Sequence, residues 1–240
     1  MKLLVCECSR YHLLPEKYLK ALFSALEKEN IPFVRVPDLC DLCARKNPGL
    51  AQFTSEAMIV ACHSRAIQWL FHHAGQPLTG TTCLNLRTGK PAAVLEKIHQ
   101  HPMDPAPEIH NTTETPPPPD WTPWFPVIDY DRCINCGQCQ DFCMFDTYSR
   151  SSDNKVIVEN PWNCKTNCPA CARVCPQRAI IFAKYDKEPI NGADIIDAPD
   201  ENNSPDINLD QALDGDIYEK LRTRRTSGKK LLKDKADDKS

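Results

Sequence analysis

The first hundred residues alternate between short apolar runs and segments with helical spacing of their apolar residues. The runs of strand length are Lys2–Cys6, Ile31–Val36, Ala57–Ala61 and Thr81–Leu86. Helical spacing marks Pro15–Asn30, Arg65–Ala74 and Pro91–His99. Short continuous apolar runs indicate buried strands, whereas apolar residues three or four positions apart indicate amphipathic helices. Strands alternating with helices therefore predict an α/β domain over residues 1–100, with a mostly parallel sheet.

This alternation stops at residues 101–124, where prolines become frequent. Pro102, Pro105, Pro107 and the run Pro116–Pro119 leave little room for regular structure. The segment is predicted to be an extended, polyproline-like linker of limited flexibility. Three aromatic residues close it, and we expect them to pack against the next domain rather than to stack on a ligand: Trp121, Trp124 and Phe125.

Residues 125–190 have the pattern of a small second domain. Val127–Ile128 and Ala179–Phe182 are apolar and predict its first and last strands. Between them, Asp146–Tyr148 and Lys155–Val158 suit a hairpin that turns at Ser152–Asn154. The resulting α+β domain is followed by residues 191–240. This last segment has an acidic half and a basic half, which predicts a disordered charged tail with room for a short helix.

Composition excludes several classes of function. The chain has 41% apolar residues and a mean hydropathy of −0.47, and no apolar stretch reaches transmembrane length. Its start is too short for a signal peptide, so we expect a cytoplasmic protein. A net charge of −3 gives no general attraction to nucleic acid. With eight glycines, the sequence contains neither a GxGxxG nor a GxxxxGK[ST] phosphate-binding loop.

Fourteen cysteines are the main chemical signal. Without an export signal they are expected to be thiols, and therefore metal ligands or redox groups before disulfides. Eight of them form two runs. The first has the spacing C-x2-C-x2-C-x3-C and comprises Cys133, Cys136, Cys139 and Cys143. The second has the spacing C-x3-C-x2-C-x3-C-P and comprises Cys164, Cys168, Cys171 and Cys175, followed by Pro176.

These two runs make residues 126–185 resemble the bacterial two-cluster ferredoxins. In that family the last cysteine of each run binds the other cluster. The resemblance therefore implies one 4Fe–4S cluster on Cys133, Cys136, Cys139 and Cys175. It implies a second 4Fe–4S cluster on Cys164, Cys168, Cys171 and Cys143. Two zinc ions on the same thiolates are the alternative, and the interlaced spacing favours clusters.

The sequence departs from the ferredoxin pattern at two places. Met144 stands where the family usually has a proline after the first run, and we expect this to alter only the local turn. The gap between Cys164 and Cys168 holds one extra residue, which reshapes that loop and leaves four ligands available.

The other six cysteines lie in the predicted α/β domain. Cys6 and Cys8 follow its first strand, Cys40 and Cys43 follow the second, and Cys62 follows the third. In a parallel sheet these positions share the carboxyl edge, where open α/β folds bind ligands. Cys83 lies inside the fourth strand and is expected to be a core residue. His63 is expected to be a satisfied histidine beside Cys62, and the helical pair His72–His73 is expected to face solvent.

The motifs around these five cysteines resemble the amino-terminal segment of the flavin-binding chain of heterodisulfide reductase, and related iron–sulfur components of hydrogenase complexes. That resemblance covers residues 1–75 and implies a small α/β module holding an unusual 4Fe–4S cluster. No flavin is implied here, because the GxGxxG segment that binds it in that family is missing. A third 4Fe–4S cluster would use Cys40, Cys43, Cys62 and one or both of Cys6 and Cys8. A zinc site, a Cys40/Cys43 dithiol switch and plain buried cysteines remain open alternatives.

The sequence thus predicts an iron–sulfur protein or subunit that relays single electrons between a carrier and a partner oxidoreductase of flavin or hydrogenase type. Trp121, Trp124 and the basic end of the tail are candidate partner contacts. One alternative is a redox enzyme whose N-terminal cysteine site reduces a disulfide or another small substrate. Another alternative is a zinc-binding interaction module. No residue is assigned acid–base catalysis, because no HExxH or Ser–His–Asp pattern occurs.

Overall fold

The computed structural model describes residues 1–109 and 121–195, and its first half is an α/β layer around one sheet. The sheet consists of β1 (Lys2–Cys6), β2 (Val34–Val36), β3 (Ala57–Ala61) and β4 (Thr82–Asn85). The helices are α1 (Glu16–Lys28), α2 (Leu39–Ala44), α3 (Ser64–His73) and α4 (Pro91–His99), with a 3₁₀ helix at Pro48–Phe53. All pairs are parallel, in the order β2-β1-β3-β4, which confirms the predicted parallel sheet.

The two central strands are buried along almost their whole length, as expected for strands covered on both faces. Every residue of β3 is buried, and in β1 only Lys2 is not. The connection from β1 leads to β2 at one edge of the sheet, whereas the connection from β3 leads to β4 at the opposite edge. Right-handed crossovers then place the connecting helices on opposite faces. Accordingly α1 packs with α4 and α2 packs with α3. The reversal of direction creates a topological switch point between the carboxyl ends of β1 and β3.

The second half contains two small antiparallel ribbons. β5 (Val127–Ile128) pairs with β8 (Ile180–Ile181), and β6 (Tyr148–Arg150) pairs with β7 (Val156–Val158), so the expected strand pair and hairpin are present. The first hairpin strand begins two residues later than the predicted Asp146–Tyr148. The remaining elements are α5 (Gln138–Phe142), a 3₁₀ turn at Pro161–Asn163, and α6 (Ala170–Val174). The helices α5 and α6 pack on each other. Within the described ranges, no helix has the length and apolarity needed to cross a membrane.

Residues 1–195 form one compact unit in which the two halves share buried contacts. The Arg65 Nε atom donates to Asp129 Oδ2 at 2.6 Å, and Arg87 Nη2 donates to the carbonyl of Tyr185 at 2.7 Å. Trp124 is 2% exposed and stacks on Phe182, with ring centroids 5.1 Å apart. The aromatic end of the predicted linker therefore packs onto the protein, as expected. The proline run 116–119 and residues 196–240 of the predicted tail lie outside the described residues.

This packing corrects one part of the sequence interpretation. Trp124 was a candidate contact for a partner, but its burial leaves it no free surface. Trp121 is half-buried and meets Trp162 edge-on, with ring centroids 4.6 Å apart. Trp124 fills the boundary between the two halves, between Tyr11 and Phe182, whereas Trp121 packs within the second half. A linear pattern cannot distinguish such packing from an exposed docking surface.

A glycine on this boundary yields a stability prediction. Gly192 has φ +90°, and a Cβ atom there would lie 2.4 Å from the Cβ of Ala66 on α3. Gly75 also has positive φ, +75°, but a Cβ there would meet nothing within 4 Å. Both alanine substitutions carry backbone strain, and only Gly192→Ala adds a collision. We expect Gly192→Ala to destabilise the protein by about 1–3 kcal/mol more than Gly75→Ala, as overpacking typically does. Urea unfolding measures the difference, and equal midpoints would contradict this close approach.

Candidate metal centres

The first cavity is lined by cysteines from both runs. Cys133 and Cys136 come from the loop that leads into α5, Cys139 comes from the first turn of α5, and Cys175 comes from the end of α6. The loop closes tightly because two of its residues adopt left-handed backbone angles, Asn135 with φ 55° and Gly137 with φ 82°. Glycine and asparagine are the residues that adopt this conformation most readily. This loop therefore turns three thiols toward one space.

The second cavity has the same arrangement, with the contributions of the two cysteine runs exchanged. Cys164, Cys168 and Cys171 come from the second run, and Cys143 comes from the first. Asn167 again has a left-handed angle, φ 62°, within the enlarged loop. Each cavity is thus lined by three cysteines of one run and the last cysteine of the other. These are the same two sets that the ferredoxin resemblance implies.

Both cavities are lined mainly by thiols and apolar side chains. Across residues 1–109 and 121–195, no group of three or more His, Cys, Asp or Glu is arranged to hold a single metal ion. The interlaced spacing of the two cysteine runs is therefore what favours clusters over zinc.

The sulfur atoms receive hydrogen bonds that favour a negative charge on them. Tyr148 donates its hydroxyl to Cys171 Sγ at 3.1 Å, and the amide of Ala179 donates to Cys175 Sγ at 3.3 Å. Burial nevertheless raises the pKa of Cys139 to about 12 and that of Cys171 to about 11. Such thiols stay protonated unless a cation replaces the proton. Iron binding would supply that cation and release the protons.

Comparison with known proteins identifies this half. A family model described as a 4Fe–4S dicluster domain matches residues 125–176. Ferredoxin-3 of Nostoc sp. is 33% identical over 75 residues, which is 24% of this chain and 76% of that protein. The chain belongs to the 4Fe–4S ferredoxin family. It carries an iron–sulfur electron-transfer domain of ferredoxin type, to which we refer as the ferredoxin module (residues 125–195).

Two further relatives are each similar to about a quarter of this ferredoxin. An uncharacterized ferredoxin of Methanocaldococcus jannaschii is 45% identical over 60 residues, covering 25% of this chain and 40% of that protein. The delta subunit of the NADH-dependent phenylglyoxylate dehydrogenase of Aromatoleum evansii is 34% identical over 61 residues, covering 25% of this chain and 62% of that subunit. The chain therefore spans less than two thirds of these two relatives, and the likeness concerns about a quarter of its own length.

Five of the six cysteines of the α/β half lie at the carboxyl ends of three strands, as expected from the sequence. We call them the N-terminal thiols: Cys6, Cys8, Cys40, Cys43 and Cys62. Four are buried and Cys62 is half-buried. Cys6 and Cys8 on one side and Cys62 on the other flank the switch point between β1 and β3.

Helix α2 brings the middle pair of these thiols into the group. Its N-cap is Asp38, whose side chain accepts hydrogen bonds from the amides of Cys40 at 3.0 Å and Asp41 at 3.3 Å. Cys40 and Cys43 are three residues apart, and therefore on the same face of α2. Burial raises the pKa of Cys43 well above its usual range, with added contributions from the charges of Cys6, Asp38 and Cys62. The structure thus brings thiols from all three strand ends into electrostatic contact.

Lys184 completes this group and was missed by the sequence interpretation. It lies in the ferredoxin module, yet its Nζ is 2.5 Å from Asp38 Oδ2 and 3.4 Å from Cys8 Sγ. Lys184 is only 6% exposed. Burial opposes its charge, but the negative charges of Cys40, Asp38 and Cys8 outweigh burial and hold the pKa of Lys184 well above its usual range. The sequence did offer one indication that this lysine is buried, because it directly follows the apolar run 179–183.

We assign structural roles to His63, to the pair His72–His73 and to Cys83. His63 is buried, and its Nδ1 is 3.2 Å from Asn85 Nδ2, as expected for a satisfied histidine. The prediction that His73 faces solvent is wrong. Its ring packs against Phe125, and burial lowers its pKa to about 4, because α3 packs against β5. His72 is exposed as predicted, and Cys83 is half-buried on β4.

Proposed function

We propose that the ferredoxin module holds two 4Fe–4S clusters. The ligands of the first would be the four cysteines of the first cavity, and those of the second would be the four cysteines of the second cavity. The supporting observation is that each cavity draws three thiols from one run and one from the other. This is the ligand exchange of two-cluster ferredoxins. The hydrogen bonds to Cys171 and Cys175 fit charged sulfur ligands, and the interlaced spacing of the two runs favours clusters over zinc.

The proposed function is the relay of single electrons between a partner oxidoreductase and a carrier. A 4Fe–4S cluster supplies one-electron redox chemistry, while the protein sets its potential through burial, charge and hydrogen bonds to sulfur. The similarity to a subunit of an NADH-dependent dehydrogenase supports a place beside a larger oxidoreductase. The proposal that this partner is of flavin or hydrogenase type rests on the resemblance of the N-terminal cysteine motifs.

Exposed apolar side chains mark where such a partner would dock. Three large ones are exposed among residues 1–109 and 121–195: Ile134, Phe142 and Met144. Ile134 lines the first cavity, while Phe142 and Met144 line the second on either side of Cys143. Exposed apolar groups next to functional groups are typical of interaction sites. Electrons would therefore enter or leave where the clusters come nearest to the surface.

We also propose a third 4Fe–4S cluster on Cys40, Cys43, Cys62 and one or both of Cys6 and Cys8. Its support is the meeting of these thiols at the switch point of the sheet, together with the hydrogen bond from the Leu39 amide to Cys6 Sγ at 3.3 Å. Burial of four of the five thiols favours a relay centre over a catalytic one, because a substrate would need access to the metal or the disulfide.

Anaerobic iron analysis tests both proposals. We expect about twelve iron atoms per chain, four for each 4Fe–4S cluster, with matching acid-labile sulfide. The double variant Cys40→Ser/Cys43→Ser should contain about eight, because the N-terminal site would lose two ligands. The control Cys83→Ser should keep the full number. About eight in the unsubstituted protein would contradict the third cluster, and colourless, sulfide-free protein would contradict all three.

A further inference from the structure

One side chain connects the N-terminal thiols to the second cavity. The backbone amide of Tyr11 donates to the carbonyl of Cys8 at 3.2 Å. At the other end of the residue, the Tyr11 hydroxyl donates to Asn167 Oδ1 at 3.2 Å. Asn167 immediately precedes Cys168, which lines the second cavity. Two hydrogen bonds and the bonds of Tyr11 therefore form a continuous path from Cys8 to Cys168.

The first cavity has a residue equivalent to Asn167 that is used differently. Asn135 precedes Cys136 as Asn167 precedes Cys168, and both have left-handed φ angles. Asn135 Oδ1 accepts from the amide of Val156 at 3.2 Å, within the ferredoxin module itself. Asn167 instead accepts a hydrogen bond from Tyr11, which belongs to the α/β half. The extra residue between Cys164 and Cys168 lies in the loop that makes this contact, so the departure from the ferredoxin spacing coincides with a new connection.

The surroundings of Tyr11 fix its ring between the two sites. Its centroid is 5.9 Å from that of Trp124, and Lys184 Nζ is 5.5 Å from it. Burial raises the pKa of Tyr11, and among the charges that act on it are those of Cys40 and Cys164. Tyr11 therefore lies within electrostatic reach of a thiol from each site.

We propose that Tyr11 and Asn167 form the electron-transfer contact between the second cavity and the N-terminal thiols. This inference rests on the proposed function, because both sites must hold clusters. If both sites held clusters, one electron would pass from the second cavity to the N-terminal site through Tyr11 and Asn167, with no bond made and no proton moved. A one-electron donor such as dithionite would supply that electron from outside.

A second tyrosine, Tyr148, lies close to thiols of both cavities of the ferredoxin module. Its hydroxyl contacts Cys171 Sγ of the second cavity at 3.1 Å. The pKa of the buried Tyr148 is raised by burial and by charges that include Cys171 and, from the first cavity, Cys139. Tyr148 thus contacts the second cavity and lies within electrostatic reach of a thiol of the first.

The experiment follows the EPR signal of the N-terminal cluster by rapid freezing after the full-length protein receives less than one electron per chain. Tyr11→Leu should slow the appearance of that signal several-fold, and Asn167→Gly, which keeps the left-handed backbone, should slow it less. Tyr130 is the matched control, because its hydroxyl donates to the carbonyl of Val156, which lines the first cavity. The Tyr130→Leu variant should leave the rate unchanged. Iron content and cluster potentials are measured for every variant, so that the loss of a cluster is not mistaken for slow electron transfer.

The outcomes separate the two proposals. If the unsubstituted protein has an N-terminal cluster and both the Tyr11→Leu and Asn167→Gly variants match its rate, the contact is wrong while the proposed function stands. If Tyr11→Leu and Tyr130→Leu slow transfer equally, the route is not specific to Tyr11, and the proposal is also overturned. An iron count of about eight, as expected for two 4Fe–4S clusters, would remove the third cluster and with it the route.

Discussion

A Cys175→Ala variant is expected to lose about four iron atoms, and to lose them from the first cavity although Cys175 belongs to the second run. The reason is that Cys175 lines the first cavity with Cys133, Cys136 and Cys139. Alanine cannot bind iron, so the cluster would lack its fourth ligand. The loss should also lower resistance to urea, because a metal centre that joins distant segments contributes directly to folding.

Double substitutions identify which cluster is lost. Cys175→Ala/Cys136→Ala should lose no more iron than either single variant, because both residues would serve one cluster. Cys175→Ala/Cys168→Ala should lose about eight atoms, because two clusters would be affected. Iron analysis with EPR of the reduced protein measures both. The reverse result, with Cys175 and Cys168 acting on a single cluster, would show that each run binds its own cluster.

Lys184→Met is expected to lower the midpoint potential of the N-terminal cluster by about 60 mV or more, which for one electron corresponds to about 1.4 kcal/mol. Reduction adds negative charge to the cluster, and the ammonium 3.4 Å from Cys8 Sγ stabilises that charge. Unit charges 4 Å apart interact by about 4 kcal/mol at an effective dielectric constant of 20. The neighbouring carboxylate of Asp38 offsets part of this effect. EPR-monitored titration measures the potential.

The control for Lys184→Met restores the charge balance. Lys184→Met/Asp38→Asn removes both members of the buried pair, and asparagine retains an oxygen that can cap α2. This double variant should recover much of the lost potential and should be more stable than Lys184→Met, which leaves a buried carboxylate unpaired. The potentials of the two clusters in the ferredoxin module should change little in either variant. An unaltered N-terminal potential in Lys184→Met would show that this lysine only holds the two halves together.

Local patterns predicted most of the fold. The bounds of β1, β3 and α4 match the sequence expectation because continuous apolar runs and proline at a helix start are decided within a few residues. The hairpin of β6 and β7 follows from turn residues between apolar segments. Likewise, the assembly of cysteines at the carboxyl edge of the sheet follows from strand order alone. These features depend on neighbours along the chain or on the general geometry of parallel sheets.

The remaining features depend on which surface packs against which. The sequence showed the apolar face of α3 and placed His73 on the opposite, solvent side. In the structure the ferredoxin module packs against that side, so His73 is covered. The Lys184–Asp38 ion pair joins residues 146 positions apart, and no periodicity connects them. The Tyr11–Asn167 contact spans 156 positions and has the same origin. Sequence reasoning therefore found the thiols but not the groups that surround them.

The Lys184–Asp38 ion pair also bears on the order in which the protein matures. During synthesis the α/β half emerges first, so Asp38 is made 146 residues before Lys184, its counter-ion. The ion pair therefore forms only when the carboxyl-terminal half has been made and packs against the α/β half. The proposed amino-terminal cluster would gain this neighbouring positive charge only in the fully synthesised protein.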